Sequence, residues 1–182
     1  MNILTILDIQ RIIEVSLRGE DVVLPIYRRE EAQYYPFLTI LAKAVQPELI
    51  VELGTLDGRS TVHFAHGAPN SRVIGIDWNP PTNIDAYPNL NFWQGDTRLM
   101  SRQVAELGIL ISILFIDSEH QADCATVEFN AYWPLMRSSG ILLVDDVYLN
   151  DMQEFWNNVV PEPKFIDVSL HSYLGFGIAI KE

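Results

Sequence analysis

Apolar residues in this chain fall into two rhythms that alternate along its length. Five short runs are apolar at almost every position and rich in β-branched residues: "ELIVEL" (48–53), "RVIGID" (72–77), "LNFWQ" (90–94), "ISILFID" (111–117) and "GILLVDD" (140–146). Strands covered on both faces read this way, because neither face is left for polar residues. Between them, longer stretches with apolar residues at helical spacing predict helices near 29–45, 59–67, 97–107, 121–137 and 149–159. Strand alternating with helix is the pattern of parallel βαβ units and predicts a doubly wound α/β sheet. The crossover "NPPTNIDAYPN" (79–89) holds too much Pro and Asn for a long helix and should be short or irregular. At the end of the chain, "KFIDVSL" and "GFGIAIKE" are strand-like and separated only by "HSYL". That gap is too short for a helical crossover, so the pair should run antiparallel as a hairpin.

The first segment, "MNILTILDIQRIIEVSLRG", sets Ile6, Ile9 and Ile13 near helical spacing, with Asp8, Arg11 and Glu14 interrupting the apolar run. It lacks the basic start of a signal peptide and reads as an amphipathic helix. Residues 1–28 are therefore an N-terminal helical segment that packs on its own domain or, alternatively, makes a homodimer contact; residues 29–182 form that domain. A chain of 182 residues, 48% hydrophobic and 20% charged, suits one globular domain with a sizeable core. No run of 18 uninterrupted apolar residues is present, so no membrane span is expected. The net charge of −12, with 24 acids against 12 Lys and Arg, argues against nucleic acid and anionic membrane surfaces as partners. The single cysteine, Cys124, excludes an internal disulfide and fits a reducing compartment. A cytoplasmic protein with a small-molecule partner is expected.

The acids fall in a pattern. Glu52, Asp77 and Asp117 end three of the strands, Asp145 and Asp146 end the fifth, and Asp96 follows the third. In an open α/β sheet, ligands bind outside the carboxyl ends of the strands. Each acid alone could equally cap the next helix; the whole row reads as a ligand-facing edge. The loop "VELGTLDGRST" brackets a tight turn with Gly54 and Gly58, and Ser60 opens the next helix. It is neither a P-loop nor a dinucleotide fingerprint, since Thr55 and Leu56 stand where the second glycine belongs. Asp77 is placed to accept hydrogen bonds from ribose hydroxyls, and Asp96 to meet an exocyclic adenine amine. Together these describe an adenosine site.

The motifs "VELGTLDGRST", "VIGID", "QGD", "LFIDSEH" and "GILLVDDV" come in the order found in the class I S-adenosylmethionine-dependent methyltransferases. The chain resembles that family over roughly residues 30–180. Within it, the chain is most similar to the small metal-dependent O-methyltransferases of the catechol, caffeoyl-coenzyme A and macrolide-sugar types, and to the cephalosporin-hydroxylase-like branch. The resemblance implies a Rossmann-like seven-stranded sheet, mostly parallel, with the last strand antiparallel. It implies cofactor binding by Glu52, Gly54, Thr55, Gly58, Ser60, Asp77, Trp78, Asp96 and Asp117, with Glu52, Gly54 and Gly58 around the amino-acid part of S-adenosylmethionine. It further implies one divalent cation on Asp117, Asp145 and Asp146. Three carboxylates make a hard, all-oxygen site suited to Mg²⁺, Mn²⁺ or Ca²⁺; a solvated turn or helix cap is the other use of Asp145 and Asp146.

Such a reaction needs a base. His120 lies three residues after Asp117, where catechol-type relatives carry a lysine, and imidazole suits proton removal near neutrality. His63 and His66 have no obvious third ligand and read as helix surface. His171 falls in the terminal turn, with its direction undetermined. Tyr34, Tyr35 and Phe37 precede the first strand and read first as core, while the resemblance implies a leading helix that covers the site and brings Tyr34 or Tyr35 to the ligand. "EFNAYWPLM" (128–136) reads as an ordinary packed helix with no chemistry. Two alternatives stand beside the methyltransferase reading: an NAD(P)-binding oxidoreductase, and a methyltransferase-like protein that binds without catalysing.

Overall fold

A computed structural model describes residues 3–18, 34–79 and 87–182. Its elements in chain order are α1 (Ile6–Leu17), α2 (Tyr34–Val45), β1 (Leu49–Leu53), α3 (Arg59–Gly67), β2 (Arg72–Asp77), β3 (Leu90–Gln94), α4 (Ser101–Ala105), β4 (Ile111–Ile116), α5 (Ala122–Tyr132), β5 (Met136–Val144), α6 (Met152–Asn158), β6 (Lys164–Asp167) and β7 (Phe176–Ile180). The seven strands form one sheet in the order β3-β2-β1-β4-β5-β7-β6, and β7 runs antiparallel to both its neighbours. The expected α/β architecture and terminal antiparallel pairing are therefore both present.

The continuous apolar runs have a plain cause. Successive strand residues point to opposite faces, and here both faces are covered. Ile50, Val73, Ile113, Ile141 and Ile178 join one buried cluster with Ile9, Phe37, Leu41 and Phe64 of α1–α3. Leu49, Val51, Ile74, Leu114 and Leu142 join another with Phe129 of α5 and Phe155 and Trp156 of α6. Helix α1 begins with a capping box between Thr5 and Asp8, and its Ile9 and Ile13 are buried in the first cluster. Among the described residues, no helix is long and apolar enough to cross a membrane.

Several predicted bounds shift. The first five residues of the helix expected over 29–45, and most of the 79–89 crossover, lie outside the described residues. The helix expected over 97–107 shortens to α4, because Asp96 first organises a turn in which Leu99 N–H donates to the Asp96 carbonyl at 2.9 Å. The helix expected over 121–137 stops at Tyr132 and tightens into a 3₁₀ turn, Trp133–Leu135, around Pro134. Strand β5 starts at Met136, ahead of the expected Gly140, through an irregular stretch with Ser139 at φ 61°. The helix-surface reading of His63 is overturned. It is fully buried, bonded through Nδ1 to Thr39 Oγ1 at 2.9 Å and stacked on Tyr35, while His66 is exposed. Helix α3 lies between α2 and the sheet, so nearly all of its circumference is interior.

The strand order reverses between β1 and β4, and such a reversal opens a crevice at the carboxyl ends of the strands. Sheet bonding runs one residue beyond the strands there. Gly54 N–H donates to Ile76 O at 2.9 Å, Gly95 N–H to Asp77 O at 2.9 Å, Asp117 N–H to Leu53 O at 2.8 Å and Asp145 N–H to Ile116 O at 3.0 Å. The strand-ending acids are thereby fixed in a row along one edge.

Candidate active site

The turn after β1 forms one wall of a cavity of about 360 Å³. Gly54 adopts φ 86° and Gly58 φ 78°, backbone conformations that favour glycine. Gly54 also has no room for a side chain, because a β-carbon would fall 2.1 Å from the Asp117 carbonyl oxygen. The turn is fastened to Asp77, whose Oδ2 accepts from Thr55 N–H and Leu56 N–H, both at 2.8 Å; its Oδ1 accepts from Asn79 N–H at 2.9 Å. Behind this wall, Glu52 is fully buried and accepts a hydrogen bond from Ser60 Oγ. Burial pushes its carboxyl up to about 7, against the opposing effect of the Ser60 and Thr61 hydroxyls.

The opposite wall comes from the ends of β2 and β3 and from α5. Trp78 stands at its rim, 57% exposed. Asp96 receives a two-point contact from Arg98, with Nε at 2.9 Å and Nη2 at 2.8 Å, which holds its carboxyl below the usual range. Glu128 is the residue that sequence reasoning missed here. Almost wholly buried, it accepts from Thr97 Oγ1 and from Ser118 Oγ at 2.7 and 2.8 Å, tying the loops after β3 and β4 together. Burial raises its carboxyl pKa. An acid nearly two turns into a helix, directly before the mostly apolar run that begins at Phe129, is the signal that could have drawn attention to it.

Beyond Asp117 and His120 on the cavity wall lies a cluster of acids. Adjacent strand residues point to opposite faces, so Asp145 and Asp146 would diverge if the extended backbone continued. Asp146 instead takes φ 53°, a left-handed conformation that Asp tolerates better than most residues, and the two carboxylates converge. His171 Nδ1 lies 2.9 Å from Asp145 Oδ1 and 3.0 Å from Asp146 Oδ1. The two acids push that imidazole up to about 10, Asp145 acting more strongly. Tyr34 Oη reaches Asp145 Oδ2 at 3.4 Å. His120 Nε2 stands 3.5 Å from both Asp117 Oδ1 and Asp146 Oδ2. Burial first, then the neighbouring Asp145 and Glu52 charges, pushes the Asp117 carboxyl well above the ordinary range.

Of the residues singled out from the sequence, Gly54, Thr55, Ser60, Asp77, Trp78, Asp96, Asp117 and His120 share the wall of this one cavity. Glu52 and Gly58 support it from behind. Asp145 and Asp146 adjoin it through His120. His171 joins the cluster from a turn whose direction the sequence left undetermined.

The fold and this edge define a class, and comparison with known proteins gives the family. A sequence profile described as "Methyltransferase domain" matches residues 51–147, and the chain belongs to that family. Membership sets aside the nicotinamide-binding alternative. The catechol O-methyltransferase of Mycobacterium tuberculosis (strain ATCC 25618 / H37Rv) is 30% identical over 124 residues. That match covers 64% of this chain and 56% of that protein, so the chain spans little more than half of this curated relative's length. Among solved structures, the Bacillus cereus O-methyltransferase in complex with SAH superposes with a TM-score of 0.65 at 19% identity, covering 99% of this chain and 93% of that one. The MycE methyltransferase of the mycinamycin biosynthetic pathway, in complex with Mg, SAH and mycinamycin VI, superposes with a TM-score of 0.56 at 17% identity. There the match covers 96% of this chain and 53% of that one. At these identities the superpositions establish the shared fold.

Proposed function

We propose that this protein is an S-adenosylmethionine-dependent O-methyltransferase acting on a small hydroxylated acceptor with the help of a divalent cation. One observation carries the reading: a single cavity is bounded by the Gly54–Asp77 wall at one side and by Asp117 and His120, leading to Asp145 and Asp146, at the other. A cofactor's nucleoside and a reacting hydroxyl group would each find suitable chemistry within one enclosure.

On this reading Asp77 orients the ribose. Its two oxygens already accept three backbone N–H groups, which leaves about one of their four lone-pair sites to accept from a ribose hydroxyl. Asp96, steadied by Arg98, faces the adenine amine, and Trp78 covers the ring's edge. Gly54, Thr55 and Gly58 bring backbone close to the amino-acid end, with Ser60 positioned by Glu52.

The acidic cluster fits a cation on its own chemistry. Asp146 Oδ1 and His120 Nε2 are both buried without a hydrogen-bond partner, and candidate ligand atoms gather in two groups that share Asp145, one with Asp117 and His120 and one with Asp146 and His171, each within 4.8 Å. Asp117, Asp145 and Asp146 would hold the ion. When bound, a divalent cation supplies Lewis acidity that favours ionisation of an acceptor hydroxyl. His120 then takes the released proton on Nε2. The acceptor oxygen forms its bond to the methyl carbon as the carbon–sulfur bond breaks, leaving S-adenosylhomocysteine and a methyl ether.

The test is transfer of labelled methyl from S-adenosylmethionine to a panel of catechols, phenols and sugar hydroxyls, with and without Mg²⁺ or Mn²⁺. Label in an ether product, lost on chelation, supports the reading. Transfer indifferent to chelation removes the cation from it, and labelling of nitrogen acceptors alone replaces the acceptor class.

A further inference from the structure

Asp117, Asp145 and Asp146 alone would be an all-oxygen site for a hard cation. The structure adds nitrogen. We propose that His171, carried on the turn before β7, is a direct ligand of the cation held by Asp145 and Asp146. The site would then favour a transition divalent ion such as Mn²⁺, Fe²⁺ or Co²⁺ over Mg²⁺ or Ca²⁺. The inference rests on the metal reading above and adds to it a ligand and a selectivity.

Geometry is the first argument. Nδ1 of His171 lies 2.9 Å from Asp145 Oδ1 and 3.0 Å from Asp146 Oδ1. Donors bonded at about 2.1 Å to one octahedral ion stand about 3 Å apart along an edge of the polyhedron. Both contacts from Nδ1 already hold that spacing, and the ligand atoms of the three residues lie within 4.8 Å of one another.

The second argument is an unmet bond. A ring nitrogen carries at most one hydrogen. The Nδ1 contact with hydrogen-bond geometry goes to Asp145 Oδ1, and Asp146 Oδ1, 3.0 Å from the same nitrogen, is left without a hydrogen bond although Asp146 is only 8% exposed. A buried carboxylate oxygen aimed at an already committed nitrogen is poorly served by a proton. One ion bonded to all three atoms would serve each of them.

Preorganisation is the third. Val147 N–H donates to Gly175 O at 3.1 Å and Tyr148 N–H to Leu174 O at 2.8 Å, which staples the 171–175 turn to the residues that directly follow the aspartate pair. Gly175, at φ 72°, lies so close to Tyr148 that a β-carbon would fall 2.7 Å from the ring. Tyr34 meets the His171 ring edge-on, with centroids 5.5 Å apart. A ligand set on such a fixed support loses little freedom on binding. Imidazole suits first-row transition ions, whereas Mg²⁺ and Ca²⁺ take oxygen donors.

The test uses the full chain freed of metal with a chelator. Mn²⁺, Co²⁺, Mg²⁺ and Ca²⁺ are titrated calorimetrically at one pH into wild type, His171→Gln and His120→Gln, and the Mn²⁺ forms are examined by pulsed electron paramagnetic resonance for coupling to ¹⁴N. Expected are Mn²⁺ and Co²⁺ affinities at least about tenfold above that for Mg²⁺, and a ¹⁴N coupling that survives in His120→Gln. His171→Gln should lose the coupling and about tenfold or more in Co²⁺ affinity, with Mg²⁺ binding little changed. Equal affinities in wild type, a coupling lost with His120 instead, or tighter ion binding by His171→Gln would each overturn the inference. If His171→Gln fails to fold, the wild-type and His120→Gln spectra decide it, since absence of ¹⁴N coupling in wild type is sufficient to reject it. Binding of no ion by wild type would also remove the cation from the proposed function; binding indifferent to His171 removes this inference alone.

Discussion

The Asp117 carbonyl oxygen stands 2.1 Å from the point that a β-carbon on Gly54 would occupy. The turn after β1 and the backbone of the acid ending β4 are therefore packed directly against each other. Gly54→Ala meets an immovable neighbour as well as an unfavourable φ of 86°. Such a substitution should cost roughly 1–3 kcal/mol of stability. It should also abolish detectable S-adenosylhomocysteine binding. Thermal melting and calorimetry check the two effects separately; an unaltered affinity would show that the turn does not carry the cofactor.

Asp77 fastens the same turn from the side. Asp77→Asn keeps one carbonyl oxygen but replaces an acceptor with a donor, so one of the Thr55, Leu56 or Asn79 N–H contacts must be lost. Loss of a hydrogen bond to a charged group, about 1.5–3 kcal/mol, corresponds to a fall of roughly tenfold or more in cofactor affinity. A titration of the variant with S-adenosylhomocysteine reads it directly.

Glu128 connects two loops rather than facing a ligand alone. Glu128→Ala leaves the Thr97 and Ser118 hydroxyls without their acceptor and should lower stability by on the order of 3 kcal/mol. Glu128→Gln, which keeps one acceptor, should lose less. Urea denaturation midpoints give the ranking, and equal midpoints for the two variants would contradict it.

Two buried groups should give the protein opposing responses to pH. Glu52 is pushed up from an ordinary 4.5 to about 7, so between those values the folded state holds a proton that the unfolded chain has released. Its contribution is full below pH 4.5 and is lost as pH rises to 7, a change on the order of 3 kcal/mol. His63 is pushed down from 6.5 to about 3 by burial, with a smaller effect of His66. Its contribution is full above pH 6.5 and is lost as pH falls to 3, on the order of 4 kcal/mol. Between pH 4.5 and 6.5 the two slopes oppose. Relative to wild type, Glu52→Gln should gain stability as pH rises from 4.5 to 7, and His63→Asn should gain as pH falls from 6.5 to 3. Denaturation at a series of pH values checks both, and a constant difference across either window would contradict that assignment.

What the sequence made legible follows from which interactions are local. The central strands β1, β2, β4 and the later part of β5 were readable because burial on both faces leaves few positions for polar residues, and the row of acids was readable because strands end at the same edge. His63 was not: the usual alternation of wet and dry helix faces disappears when a helix such as α3 lies between another helix and the sheet. The start of β5 was hidden by Arg137, Ser138 and Ser139, polar residues in an irregular stretch where the register to β4 shifts. His171 reaches Asp145 across 26 residues of chain, through turn bonding that no local pattern encodes. Convergence of Asp145 and Asp146 likewise depends on one backbone angle, at Asp146.

The most direct test of the central claim is a calorimetric titration of the metal-free protein with S-adenosylhomocysteine, with NAD as control and both repeated in the presence of Mn²⁺. Saturable one-to-one binding of S-adenosylhomocysteine, none of NAD, and binding weakened roughly tenfold or more in Asp77→Asn is the expected result. No binding of S-adenosylhomocysteine under either condition, or binding of NAD in its place, would contradict a methyltransferase function and leave only the fold.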